Sequence, residues 1–252
     1  MVIVFANQKG GVGKTTTSIN IASYLALWGK KVLLVDMDPQ SNLTSGVGFD
    51  RSQSYLSTYE LLVDDLSVNQ IFIQTDLSPN LYLVPSKIDL AGAEIEIISR
   101  LSREKILKTK LDPIKDQYDF IFIDCPPSLS LLTLNSLVAS DYVIIPVQCE
   151  YFALEGISQL INTINLIKDN LNSKLKILGV VMTMFDGRTK LSQDVVNEVR
   201  KHFGKKVFDT VIPRNVRLSE APSHGKPINF YDPNSPGAKA YETLSKEILD
   251  RI

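Results

Sequence analysis

Several things are scarce in this sequence, and each scarcity closes a door. There are two cysteines in 252 residues, Cys125 and Cys149, each just after an apolar run. That is too few for a disulfide scaffold and fits buried, reduced thiols. No apolar run reaches the roughly 18 residues that a membrane-spanning helix needs. The opening run Val2–Ala6 is short and gives way at once to a polar loop, so it does not read as a signal peptide. Neither sign of charge dominates: 27 Lys and Arg stand against 28 Asp and Glu, a formal net charge of −1. Contact with nucleic acid therefore has to come from a local patch. Repeats, low-complexity tracts and a linker rich in Pro, Gly and Ser are missing too. What is present, 44% apolar and 22% charged residues, suits one compact domain, 1–252, with a large core.

The most informative stretch is Lys9-Gly10-Gly11-Val12-Gly13-Lys14-Thr15-Thr16, between the apolar run and Thr17–Ala22. It reads as strand, glycine-rich loop, helix. Three glycines let the backbone wrap tightly and turn several N–H groups inward as an anion cradle. The helix that follows adds its positive N-terminal end. Lys14 supplies a cation for the outer phosphates of a nucleotide, and the Thr15 hydroxyl is placed to ligate Mg²⁺. The usual loop has glycine where this chain has Gln8, and Lys9 is a second, early lysine.

Further along, Val32–Val35 is a continuous apolar run that delivers Asp36-Met37-Asp38-Pro39. Such runs fit strands buried on both faces of a parallel sheet, whose carboxyl ends collect ligand chemistry. Asn42–Asp50 reads as a mobile segment. Thr58–Asp65 and Val68–Gln74 read as short helical pieces, Leu81–Val84 as a buried strand and Leu90–Leu111 as one amphipathic helix. Tyr118–Ile123 ends in Asp124, a strand-end carboxylate suited to hold Mg²⁺ or equally to cap the next helix; Pro126-Pro127 then makes a stiff turn. Strands follow at Asp141–Val147, Leu175–Phe185 and Val207–Ile212, with helices at Leu154–Leu171, after Lys190 to Phe203, and Pro236–Ile252. The expected fold is α/β, a doubly wound, mostly parallel sheet with helices on both faces.

The lysine-rich loop resembles the deviant Walker A motif of the ParA/MinD family of ATPases. The stretches Leu90–Glu96, Val147–Gly156 and Ile212–Ile228 resemble its Soj-type chromosome-partitioning branch. The resemblance runs over essentially the whole chain and implies a P-loop ATPase using ATP and Mg²⁺. It implies that Lys14 works in cis while Lys9 reaches the partner's nucleotide across an ATP-dependent homodimer. Asp38 would position or activate the attacking water and Asp36 would support the metal shell. The turn at Pro126–Ser128 would sense the γ-phosphate, and Pro213 and Asn215 would border the adenine. Glu150 would lie near the dimer interface and the partner's ribose, although a solvated loop acid reads as well.

Between Arg188 and Lys226 there are nine Lys or Arg and four Asp or Glu. This is a solvated surface or a sequence-independent phosphate-contact patch, with Arg188, Lys201, Arg217 and Lys226 as candidates. The leading expectation is a ParA-like ATPase whose ATP-bound dimer sits on non-specific double-stranded DNA in a cytoplasmic, nucleoid-associated protein. A ParB-like protein would stimulate hydrolysis and release it. With the loop starting at residue 9, no N-terminal operator-binding domain is expected. A MinD-like membrane-cycling ATPase is the alternative, but the acids Glu242, Glu247 and Asp250 in the last helix suit an anionic membrane poorly. An iron-protein-like redox role would need a cluster cysteine where this chain has Ser130-Leu131-Leu132. A small-molecule kinase lacks a recognisable acceptor site.

Overall fold

The computed structural model describes residues 1–150 and 153–252, with side chains left undescribed at 151–156. Among the described residues eight strands form one sheet: β1 (Val2–Phe5), β2 (Val32–Asp36), β3 (Ile73–Gln74), β4 (Leu81–Val84), β5 (Phe120–Asp124), β6 (Tyr142–Gln148), β7 (Lys176–Phe185) and β8 (Val207–Pro213). Their spatial order is β3-β4-β2-β5-β1-β6-β7-β8. Every pairing is parallel except that of the two-residue edge strand β3 with β4. The helices are α1 (Lys14–Leu27), α2 (Asn42–Gly46), α3 (Thr58–Val63), α4 (Leu90–Ile97), α5 (Ile106–Leu111) and α6 (Leu131–Ala139). They continue with α7 (Ala153–Asn170), α8 (Lys190–Phe203), α9 (Val216–Glu220), α10 (Ile228–Tyr231) and α11 (Pro236–Arg251).

Alternation along the strands explains the layers. Val2 and Val4 of β1 and Leu33 and Val35 of β2 face one core, which also takes Leu132 and Leu137 of α6 and Leu160 and Ile164 of α7. Ile3, Phe5, Val32 and Leu34 face the other, with Ile21 and Leu25 of α1 and Tyr241, Leu244 and Ile248 of α11. Both faces of the central strands are dry, which is why these strands read as unbroken apolar runs. Among the described residues, no helix is long and apolar enough to cross a membrane.

Three segments differ from the reading of the sequence. The stretch Leu90–Leu111 is two helices, because Ser102 turns left-handed (φ 54°) and Arg103 Nη1 donates to the Ile98 carbonyl at 2.8 Å. Buried Asn135 of α6 then takes the Leu107 N–H and donates to the Arg103 carbonyl, so tertiary contact overrides helical periodicity. After a single turn at Val68–Gln70, closed by reciprocal Ser67–Gln70 bonds, the chain enters β3 rather than continuing as helix. The segment 42–50 contains α2, fastened by Thr44 to the end of β2. Tyr151 and Phe152, inside the stretch that resembled Soj-type proteins, lie outside the described residues, as does the Leu154 side chain.

Gly179 shows how tightly β7 packs. A Cβ there would stand 2.8 Å from Phe208 Cζ and 2.9 Å from the Lys206 carbonyl oxygen, and backbone oxygen does not yield as a flexible side chain does. Gly179→Ala is predicted to destabilise the protein by about 1–3 kcal/mol in urea unfolding. An unchanged midpoint would show that β8 can give way.

Candidate functional site

The strand order reverses around β1, and ligand crevices in open α/β sheets form at such a point. The loop from β1 to α1 lies there. Gly11 (φ 74°) and Gly13 (φ 88°) adopt the left-handed conformation that side chains with a Cβ disfavour. Gly13 also precedes α1 and accepts the Thr17 N–H at 2.9 Å. The loop borders a cleft of about 810 Å³ whose walls include Gly10, Lys14, Thr15, Thr16, Asp38, Pro213 and Asn215. Lys14 is 7% exposed, and its Nζ donates back to the Lys9 carbonyl at 3.3 Å. Burial lowers its pKa, opposed by the negative charge of Asp124 nearby.

Register brings the acids in. Phe5 of β1 and Asp36 of β2 both pair with Asp124 of β5. Thr15 Oγ1 donates to Asp124 Oδ2 at 2.6 Å, while Asp124 Oδ1 is buried without a hydrogen-bond partner. Burial, then the neighbouring Asp36 charge, push the Asp124 pKa well up. A hydroxyl and a half-satisfied carboxylate beside a cationic loop fit magnesium, which takes one or two such ligands and fills its octahedron with water and phosphate oxygens. Among the described residues no group of three or more His, Cys, Asp or Glu is placed to hold a metal by itself, so phosphate oxygens would have to complete such a site.

Asp36 is fully buried behind the cleft. Its Oδ1 accepts the Asp38 N–H at 3.1 Å, and its Oδ2 accepts the Thr44 N–H at 2.9 Å and hydroxyl at 2.6 Å. It therefore fixes the segment that carries Asp38. Asp38, 6% exposed, lines the cleft and accepts the Gln40 N–H at 2.9 Å. Pro127 also lines the cleft and packs against the loop, 3.8 Å from where a Gly10 Cβ would be. At the far end Asn215 Oδ1 is buried and unpartnered, an acceptor suited to the exocyclic amino group of a base.

Lys9 Nζ forms an ion pair with Glu150 of its own chain, both side chains about a third or more exposed. The four basic candidates do not gather. Arg188 follows β7, Arg217 lies in α9 after β8, and Lys226 follows soon after, all at the carboxyl edge of the sheet. Lys201 sits near the end of α8, which spans about 20 Å back towards the amino edge. Arg188 is bonded through Nε and Nη2 to Asp186, and Arg217 pairs with Glu220 and Asp232.

The sequence reading missed four residues here. Thr183 Oγ1 donates to the Val12 carbonyl at 2.8 Å and so supports the loop from β7. Met184, left-handed at φ 53°, lines the cleft; a non-glycine residue held there signals a constrained position. Tyr241 braces Thr17 from α11 at 3.1 Å, and Thr44 holds Asp36. Only Thr183 and Met184, at the carboxyl end of an apolar run, had a signal that could have been used.

A family model described as an AAA domain matches residues 1–177. A Bacillus subtilis (strain 168) protein named sporulation initiation inhibitor protein Soj is 57% identical over 247 residues, 98% of this chain and 97% of its own length. The chromosome-partitioning ATPase Soj of Treponema pallidum (strain Nichols) is 53% identical over 249 residues, 99% of this chain and 97% of that one. The chain belongs to the Soj/ParA family. A solved structure of a Mycobacterium smegmatis protein named cobyrinic acid a,c-diamide synthase, with an ATP analogue and magnesium bound, matches with a TM-score of 0.86 at 39% identity. That match covers 98% of this chain and 93% of the other. In this Soj/ParA chain the lysine-rich loop, the two strand-end aspartates and Asp38 thus meet at one edge of a sheet shared with its relatives.

Asp36 gives the site a pH signature. Burial, partly offset by its Thr44 and Asp38 bonds, raises its pKa from 3.8 to about 6. Between those values the unfolded chain has released a proton that the folded one keeps. Stability therefore falls as pH rises from about 4 to 6 and levels off above, a loss of about 3 kcal/mol. Asp124, also raised by burial and by the Asp36 charge, adds a loss of the same sign. Asp36→Asn is predicted to remove the lower-pH slope in denaturation measured from pH 4 to 7; an unchanged slope would mean that Asp36 ionises normally in the fold.

Proposed function

We propose that this chain is a partition ATPase that binds Mg–ATP, closes as a homodimer, and in that state holds double-stranded DNA without sequence preference. Hydrolysis, stimulated by a ParB-like partner, ends the DNA-bound state. The observation that carries the reading is the Thr15–Asp124 pair with its free Oδ1, set against a cationic glycine loop and within the same crevice edge as Asp38. The two Soj relatives are named for sporulation-initiation inhibition and chromosome partitioning. The Mycobacterium protein is named for a diamide synthesis, and its lower identity gives that name less weight here.

In this reading the loop N–H groups and Lys14 hold the β- and γ-phosphates, and Thr15 and Asp124 hold magnesium. Bound Mg–ATP supplies the phosphoryl group and the metal's charge stabilisation. Lys14 opposes the charge that develops on the transferring group. Asp38, kept in place by Asp36 and Gln40, orients the attacking water and accepts its proton. Asn215 and Pro213 receive the base. Lys9 reaches the partner's phosphates after exchanging Glu150 for them; a half-exposed ion pair is worth only about 0–1 kcal/mol, so phosphate displaces it readily. Arg188, Arg217 and Lys226 offer phosphate contacts from the same edge of the sheet, while Lys201 contributes from elsewhere or not at all.

The membrane-cycling alternative is disfavoured by α11. Its apolar face is consumed in the second core. Its Glu247 accepts the Asp209 and Thr210 N–H groups of the edge strand β8, and Arg251 lies over the Phe208 ring.

The deciding measurement is binding to random-sequence duplex DNA across a salt series with ATP, ADP or no nucleotide. Binding is predicted only with ATP, with affinity falling linearly in log salt. Lys9→Ala is predicted to abolish DNA binding while retaining ATP, and Asp38→Ala to retain ATP-dependent DNA binding while losing about 10²-fold or more in hydrolysis. If no nucleotide state binds DNA, the segregation reading loses its mechanism, and pelleting with anionic liposomes becomes the next assay.

A further inference from the structure

The segment from Asp124 to α6 carries Pro126, Pro127 and Ser128, and Pro127 stands against the phosphate loop. The far end of that segment is the first turn of α6, whose early N–H groups need partners from outside the helix. The residue at the N-cap position is Ser130, a type that ordinarily supplies that partner itself. Here it does not: Ser130 makes no capping bond, and its Oγ is buried with no partner. Instead the Leu132 N–H donates to Glu94 Oε1 of α4 at 3.0 Å. Thr133 Oγ1 in the same turn donates to the Ser128 carbonyl at 2.7 Å. A carboxylate 38 residues back in sequence thus fixes the turn that fixes Ser128.

The rest of α6 does not need Glu94. Leu137 and Val138, beyond the first turn, are buried in the first core. Asn135 ties the helix body to the Leu131 and Arg103 carbonyls and the Leu107 N–H. Removing the Glu94 carboxylate therefore frees the first turn and the attached loop while the helix stays docked. The carboxylate bond is charge-assisted and lies at the positive end of the helix, and it restrains that turn from outside α6.

We propose that Glu94 is a positioning residue for ATP hydrolysis: by capping α6 from α4 it holds the Pro126–Ser130 segment where turnover requires it. The inference rests on the ATPase reading above. Its effect falls on the chemical step, because Glu94 lines no part of the cleft that receives the nucleotide.

The test compares the full-length wild type with Glu94→Ala, Glu94→Gln and Ile95→Ala. Ile95 is 77% exposed on the same helix and controls for damage to α4. Three quantities are read: kcat for Mg-dependent ATP hydrolysis, ATP affinity with a fluorescent analogue, and hydrogen exchange of the 128–134 amides. Glu94→Ala is expected to lower kcat about five- to ten-fold with ATP affinity within two-fold of wild type. Glu94→Gln, whose amide oxygen still accepts, keeps at least half of kcat, and Ile95→Ala matches wild type. In the exchange arm Mg–ATP slows the 128–134 amides in wild type and Glu94→Gln at least ten-fold more than in Glu94→Ala. Wild-type turnover in Glu94→Ala overturns the inference, as does a joint loss of affinity and turnover, or a Glu94→Gln as slow as Glu94→Ala. If the wild type itself does not hydrolyse ATP, the ATPase reading fails, and equal slowing of exchange in wild type and Glu94→Ala overturns the positioning role independently.

Discussion

The structure depends on two carboxylates held side by side in a dry place. Asp36 and Asp124 are neighbours across β2 and β5 and both are fully buried. Left alone, such a pair would be driven neutral by desolvation and mutual repulsion. Both carboxyl pKa values are raised in this way, but the two keep different company. Asp36 takes three donors from the segment that follows its strand and becomes an organiser of backbone. Asp124 takes one hydroxyl, faces buried Lys14 and keeps an oxygen unpaired. That asymmetry separates a structural acid from one free to meet a cation.

The phosphate loop is held from both faces of the sheet. Thr183 supports Val12 from β7, Tyr241 braces Thr17 from α11, and Pro127 lies against Gly10 from the loop before α6. The backbone N–H groups of a glycine-rich loop can serve as an anion cradle only if their direction is fixed, and left-handed Gly11 and Gly13 would not fix it unaided. The last helix is part of this support, which explains why its apolar stripe points inward. The two cysteines share the buried setting: their thiols are pushed up to about 12 at Cys125 and about 11 at Cys149, mainly by burial, so both stay protonated at neutral pH.

Several of the cationic side chains singled out above are paired within the chain. Lys9 rests on Glu150, Arg188 on Asp186 and Arg217 on Glu220 and Asp232. These exposed pairs are weak, which makes them exchangeable rather than structural. Phosphate oxygens accept the same charge-assisted, bidentate hydrogen bonds as a carboxylate and so compete for the same guanidinium and ammonium groups.

The sequence by itself determined the sheet's central strands, because runs such as Val32–Val35 and Phe120–Ile123 are apolar without alternation and suit only strands buried on both faces. It determined the loop, because three glycines followed by Lys14 and Thr15 have few other uses, and it put Asp36 and Asp124 at strand ends. Tertiary structure alone decided which strand end lies beside which, since register is set by packing between segments some 90 residues apart. It broke Leu90–Leu111 into two helices, because Asn135 competes for backbone groups that periodicity would give to a single helix. It turned Asp36 towards Thr44, scattered Lys201 away from Arg188 and Arg217, and gave the cap of α6 to Glu94 instead of Ser130. Local pattern records which face of an element is apolar; it carries no record of which distant polar group arrives to satisfy a buried donor, and that choice is made only when the chain closes on itself.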